Sequence, residues 1–266
     1  MDQIQIPSRD VVSSLCDMNG PETRGFAYND QIWIKYGKWV RLGEAAMQKY
    51  VHENADPSIV HIPKVFDAFS IPLGLDEISM TYIVMENVKG SDFVDFKKEH
   101  PQEAEEAMEA IATAVRHIWD LPLPPGVPLG PFYQEMPVDR FFADFGAYRS
   151  FNELTELEDW INNKLDKGEF QDRVALQGER LYICHCDLTQ FNIRVGERIA
   201  ILDWGFSGVY PLIFEEFALF HQFCLPGSKF ARALRKELFG PKLSKHMRAM
   251  SRAANYHMFG ICARKR

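Results

Sequence analysis

The 266-residue chain is short of several things that would have settled its class at once. Positive charge is outweighed: 30 Lys and Arg stand against 37 Asp and Glu, a formal net charge of −7. That balance argues against a protein whose main business is gripping a nucleic-acid backbone. The one basic cluster, Ala263-Arg264-Lys265-Arg266, reads as a solvated tail. No uncharged apolar run of about 18 residues occurs, so no membrane-spanning helix is expected; Asp203 and Glu215-Glu216 interrupt the most hydrophobic stretch. Residues 1–10 hold no apolar segment of the secretory kind, and the cytosol is the expected location. Five cysteines without regular spacing fit reduced thiols better than a disulfide framework. Cys184-His185-Cys186 is no zinc site on this reading, because neighbours on a strand face opposite ways and no second ligand pair stands nearby. Glycine is sparse where a phosphate-covering loop would need it: residues 13–25 contain no G-x-G-x-x-G, only Ser13, Ser14, Gly20 and Gly25.

What is present centres on residues 181–208. Leu181 to Cys184 reads as a strand, followed by His185, Cys186 and Asp187, with Asn192 five residues after the aspartate. Ile193–Val195 and Ile199–Leu202 form a hairpin turning at Gly196-Glu197-Arg198, and it delivers Asp203-Trp204. A carboxylate, an amide oxygen five residues on and a second carboxylate beyond a hairpin is the layout by which phosphoryl-transfer sites hold the attacking hydroxyl and magnesium.

Earlier in the chain, Val11–Cys16, Arg24–Tyr28 and Ile32–Tyr36 read as strands, the last two joined at Asn29-Asp30. Lys35 shares a strand face with Trp33; alone it would pass for a solvated residue. Residues 41–53 carry helical spacing in Ala46, Met47, Tyr50 and Val51, with Glu44 at the edge of the buried side. A carboxylate there needs a partner, and Lys35 is the natural one. Ile62–Phe66 and Thr81–Met85 read as further strands, the second apolar enough to be buried on both faces. It runs into Glu86-Asn87-Val88-Lys89-Gly90, either a plain exit from the sheet or a connector whose main chain reads adenine.

From Ser91 the pattern becomes helical. Residues 101–119 form an amphipathic helix with Ala107, Ile111, Ala114, Val115 and Ile118 inward and an acidic first half outward. Five prolines in 121–131 make a stiff connector. Phe132, Tyr133, Phe141, Phe142, Phe145 and Tyr148 are an aromatic segment, either core or a wall of an acceptor pocket. Ser150 with Glu153 suggests a capping box before the stripe Leu154, Leu157, Ile161 and Leu165. Tyr210-Pro211 opens another helix with Glu215-Glu216 in its first turn. Glu135, Asp139, Asp144, Glu215 and Glu216 could line a cationic pocket, though each reads as ordinary surface.

With Lys35, Glu44, the Met85–Gly90 connector, His185-x-Asp187-x4-Asn192 and Asp203-Trp204 in that order, the chain resembles the aminoglycoside phosphotransferase/choline kinase family, in particular its short fungal members. The resemblance spans about residues 30 to 220. It implies an α+β, two-lobed, protein-kinase-like fold. Residues 1–86 would form a nucleotide-binding lobe with an antiparallel sheet and one main helix, and 87–266 a mainly helical lobe. It implies an ATP- or GTP-dependent phosphotransferase acting on a hydroxyl of a small-molecule acceptor, with Mg²⁺ as cofactor. Asp187 would orient or accept the hydroxyl proton. Asn192 and Asp203 would ligate the metal. Lys35, held by Glu44, would meet the α- and β-phosphates, and Met85, Glu86 and Val88 would line the nucleotide, Glu86 by its carbonyl and Val88 by its amide. His185 would brace the loop. Cys186 stands where glycine is usual, and Gly205 where many relatives carry an acid. A protein kinase is disfavoured, since Pro211 follows Asp203 within eight residues and no Ala-Pro-Glu closes an activation segment. A kinase-like fold that is catalytically silent or repurposed is the alternative.

Overall fold

Ser8 sits in extended backbone, and its hydroxyl accepts a hydrogen bond from the Val11 amide, starting helix α1 (Arg9–Asn19). The computed structural model, which describes residues 4–20, 24–74, 79–143, 146–222 and 225–263, thereby replaces the expected strand at 11–16 with a helix. The buried positions are Val12 and Cys16, one helical turn apart, while Val11 stays exposed. A run of six residues was too short to separate the two periods. Arg9 fixes the helix on the sheet by donating twice to Asp67 at 2.8 Å.

Four antiparallel strands follow: β1 (Gly25–Ala27), β2 (Ile32–Gly37), β3 (Val65–Pro72) and β4 (Ser79–Glu86), in the order β1-β2-β4-β3. The expected strand at 62–66 thus begins later, at Val65, and runs to Pro72. Ile32, Ile34 and Tyr36 share one face of β2 with Tyr82 and Val84 of β4, and they pack under Val12 and Cys16. Ile83 and Met85 lie on the opposite face with Val40 and with Ala45 of α2 (Leu42–Asn54). The central strand is therefore buried on both faces, as its unbroken apolar run requires. α1 is the cover on the second face.

Beyond β4 the chain is mainly helical. Strand β5 (Ser91–Asp92) leads into α3 (Phe93–Glu99) and α4 (Ala104–Asp120), whose expected inward residues are all buried. α5 (Leu154–Lys167) buries Leu157, Ile161 and Leu165. Its capping box does not form: Glu153 takes the cap position without a side-chain bond, and Glu156 instead accepts from the Asn152 amide at 2.8 Å. Strands β6 (Tyr182–Cys184), β7 (Ile193–Val195), β8 (Ala200–Ile201) and β9 (Gly208–Tyr210) pair as β6-β9 and β5-β7-β8. They pin both ends of the 185–192 loop and of the 202–207 segment. Helices α6 (Ile213–Phe220), α7 (Leu225–Phe239) and α8 (Met247–Phe259) complete the chain.

The aromatic segment is core only in part. Phe141 and Phe142 are wholly buried against Phe151, Trp160 and Phe214, whereas Tyr133 and Tyr148 remain exposed. Phe145 lies outside the described residues. Among the described residues, no helix is long and apolar enough to cross a membrane.

Candidate active site

The 185–192 loop turns sharply after β6 because Cys186 adopts φ 57°, a left-handed conformation that costs a non-glycine residue free energy unless its surroundings enforce it. The enforcement comes from α6. The Glu215 carboxylate, fully buried, accepts from the His185 amide at 2.6 Å and the Cys186 amide at 3.0 Å. His185 then ties the loop to the hairpin. Its Nδ1 accepts from the Asp187 amide at 3.2 Å, which places the proton on Nε2, 2.9 Å from the Leu202 carbonyl. The ring packs edge-on against Trp204 at 4.9 Å. Burial holds this imidazole below its ordinary pKa, consistent with a neutral brace.

Asp187 is held on both oxygens. Asn192 Nδ2 donates to Oδ2 at 3.0 Å and to the Asp187 carbonyl at 2.9 Å. With the amide nitrogen so engaged, the Asn192 oxygen is the end available to a cation. Arg140 donates to Oδ1 from Nε at 3.0 Å and again from Nη2. Burial pushes the Asp187 carboxyl above its ordinary value, with Arg140 pulling the other way.

Asp203 also sits at positive φ, 61°, and its Oδ1 accepts from Lys35 Nζ at 2.7 Å and from the Gly205 amide at 3.4 Å. Lys35 Nζ donates at the same time to Glu44 Oε1. Burial alone would lower the ammonium pKa, but Glu44 and Asp203 more than reverse it and hold the lysine firmly charged. Asp203 answers in kind: burial would raise it, and Lys35 keeps it below the usual carboxylate range. The Leu202 amide donates to the Asn192 carbonyl at 2.8 Å, so the two residues expected to share a metal leave adjacent, bonded points of the chain. Their oxygens are hard donors of the kind magnesium takes, which makes the set a fit for that ion.

The segment after β4 leaves the sheet at Glu86. Glu86 closes β4, its carboxylate engaged by His61 Nε2 at 2.9 Å and the Lys64 amide at 3.2 Å. Asn87 binds back to Asn29 and Gln31, and the Val88 amide has no protein acceptor among the described residues. Met85 packs its sulfur 3.5 Å from Gln48 of α2.

The roles of three site residues escaped the sequence reading. Arg140 was not singled out, although Asp139-Arg140 interrupts an apolar stretch where charges need partners. Glu215 and Glu135 are named from the sequence as possible linings of a cationic pocket or as ordinary surface, not in the parts they take here. Glu135 accepts from the Gly43 amide at 2.8 Å, at the start of α2. There a Cβ on residue 43 would meet Glu135 Oε2 at 2.6 Å and the Phe132 carbonyl at 2.7 Å. The acids considered for a cationic pocket are thus engaged inside the protein. Asp139 accepts from the Phe141 amide at 2.7 Å, and Glu216 pairs with buried Arg235 at 2.9 Å. Asp144 lies outside the described residues.

The model of the phosphotransferase enzyme family matches residues 41–250, a span that includes Asp187, Asn192 and Asp203 and begins after Lys35. Solved structures share the fold at low identity. One is aminoglycoside phosphotransferase APH(4)-Ia, 14% identical with a TM-score of 0.56, covering 92% of this chain and 89% of that one. A thermostable mutant of that enzyme, in ternary complex with AMP-PNP and hygromycin B, is 15% identical at TM-score 0.53 over 93% of this chain and 89% of that one. The GDP complex of an aminoglycoside 2′-phosphotransferase-IIIa mutant is 10% identical at TM-score 0.53, over 94% and 88%. No curated protein matches the sequence.

Proposed function

This chain belongs to the phosphotransferase enzyme family, and from that premise we propose that it moves the γ-phosphoryl group of ATP or GTP to a hydroxyl of a small-molecule acceptor. The observation that carries the reading is the placement of Lys35 Nζ between Glu44 and Asp203. A strand cation and a hairpin carboxylate from distant parts of the chain meet where a nucleotide's phosphates and their metal would lie.

In this reading Lys35 neutralises the α- and β-phosphates while Glu44 fixes its direction. The Glu86 carbonyl and Val88 amide read the base. Asn192 and Asp203 would hold Mg²⁺, which when bound supplies charge neutralisation to the phosphate oxygens. Asp187 receives the acceptor hydroxyl and orients its proton; a group so placed contributes about 10²–10⁴ in rate. The division into lobes at 1–86 and 87–266 belongs to the same proposal, with the cleft between Lys35 and Asp187. Complexes of similarly folded enzymes with AMP-PNP and with GDP support nucleotide binding and keep both bases in play.

The test pairs Mg²⁺-dependent nucleotide binding by calorimetry with release of ADP or GDP in the presence of hydroxyl-bearing acceptors. Binding that persists in Asp187→Asn while turnover disappears is the expected result. Binding without turnover on alcohols, amino alcohols and sugars would make the chain a silent binding module instead.

A further inference from the structure

We propose that Arg140 is a catalytic residue of the transfer step, its guanidinium contacting the non-bridging oxygens of the phosphoryl group in flight. This rests on the reading above of Asp187 as the residue that receives the acceptor hydroxyl. The guanidinium places Nε 3.0 Å from Asp187 Oδ1 and sets Nη2 on the same oxygen. On that reading it lies beside the carboxylate that receives the acceptor's proton. The side chain is only 11% exposed and Asp187 17%, so this is a cation inserted into the site and not a surface pair. Its Cζ lies 5.7 Å from the centroid of the Phe206 ring, a second contact that helps to hold it.

The site needs such a charge. In the transfer, the acceptor oxygen bonds to phosphorus as the bond to the departing nucleoside diphosphate breaks. The electron pair leaves with the diphosphate, and the hydroxyl proton passes to Asp187. Negative charge on the three equatorial oxygens is what a catalyst must meet in this transition state. The Asp187–Asn192 segment, Asp-Leu-Thr-Gln-Phe-Asn, contains no cation. Lys35, held by Glu44 and Asp203, is assigned above to the α- and β-phosphates and not to the group in transfer. Among the described residues, Arg140 is the lysine or arginine paired with Asp187. A permanently charged fork exchanges no proton and suits planar recognition of phosphate oxygens. An acceptor-binding role is the competing reading, and the guanidinium's contact with the Asp187 carboxylate favours the transfer step over it.

The experiment needs no knowledge of the acceptor. Affinity for Mg·ADP is measured with and without aluminium fluoride, a mimic of the transferring phosphoryl, in the full-length protein, Arg140→Ala and Arg140→Lys. Hydrolysis of ATP by water is followed in parallel. The wild type should bind ADP at least about tenfold tighter with the mimic. Arg140→Ala should keep its Mg·ADP affinity, lose that tightening, and hydrolyse ATP about 10²-fold more slowly. Free guanidinium chloride should restore part of both, and Arg140→Lys should fall between. Undiminished tightening in Arg140→Ala would overturn the proposal, whether or not acceptor KM changes. So would joint loss of Mg·ADP affinity in both variants, or a hydrolysing wild type that shows no tightening. A wild type that binds no Mg-nucleotide at all would instead sink the phosphotransferase reading. If the alanine variant fails to fold, Arg140→Lys decides the same question.

Discussion

Two carboxylates of the candidate site are held in opposite ways. Asp203 is gripped by Lys35, a strand residue that also binds Glu44 nine positions further on. Asp187 is gripped by Arg140 from an irregular segment 47 residues upstream, while its loop hangs from Glu215 on α6, 28 residues downstream of Asp187. On the proposed function, the nucleotide side is a set of pattern-bearing residues pairing with one another. The acceptor side is a pattern-bearing loop held by residues that have no pattern. Charge pairing wins in the first: Lys35 is raised by Glu44 and Asp203 against its burial, and Asp203 is lowered by Lys35 against its own. In the second, burial outweighs the pairing, and Asp187 stays above its ordinary value.

The sharpest way to break this comparison is to remove one member from each side. Lys35→Ala should weaken nucleotide binding and turnover together, because the cation meets the phosphates in ground and transition states alike. Asp187→Asn should leave binding within about twofold and cost about 10²–10⁴ in turnover. Separate measurement of Kd and single-turnover rate distinguishes them; equal effects on both parameters in both variants would erase the distinction.

The next largest effect tests the hidden support of the acceptor side. Glu215→Ala strands two buried amides, His185 N and Cys186 N, at about 1–3 kcal/mol of stability for unmade hydrogen bonds. It also frees Cys186 from a backbone conformation it holds under strain, so turnover should fall more than nucleotide affinity. A urea midpoint and a Kd taken on the same sample check this. A variant that loses affinity before turnover would place Glu215 on the nucleotide side.

A comparable but smaller disturbance can be delivered to the other side through Gly43. A methyl group there collides with Glu135 and the Phe132 carbonyl, so Gly43→Ala must shift α2 and with it Glu44. Overpacking of this kind costs about 1–3 kcal/mol, and here it should appear as a several-fold weaker Kd for Mg-nucleotide with Asp187 chemistry intact in single-turnover rates at saturation.

These supports explain how much could be read beforehand. The β2–α2 pair, the central strand, the 185–203 layout and the inward face of α4 follow from periodicity and from charges that require partners. The first helix was misread because Val11–Cys16 is short, and its true signals, Ser8 as cap and Arg9 on Asp67, lie in positions whose partners are remote. The partners of Glu135, Arg140 and Glu215 are hidden from the sequence for the same reason. Each binds a backbone amide or a side chain that tertiary structure alone brings near, and an acid on a helix's first turn or in a loop looks like surface until its partner is known.

The last expected effect concerns two buried acids, Asp139 and Glu215. Burial pushes Asp139 and Glu215 up to about 7 from ordinary values of 3.8 and 4.5. Asp139 Oδ2 is buried with no hydrogen-bond partner among the described residues, so its charged form is poorly compensated. A folded pKa above the unfolded one means the folded chain keeps protons that the unfolded chain has released. The associated stability is complete below about pH 4 and is lost as pH rises toward 7, by at most about 1.4 kcal/mol per pH unit for each group. His185, His221 and His257, all lowered by burial, act in the opposite sense as pH falls through their range. The raw stability curve therefore mixes both, and the informative quantity is the difference between wild type and Asp139→Asn. That difference should grow in the variant's favour from about pH 5 to about pH 7 and then level off. A flat difference in urea midpoints across that window would mean that Asp139 titrates at its ordinary value, and the acceptor side would then be no more strained by burial than the Lys35–Asp203 pair opposite.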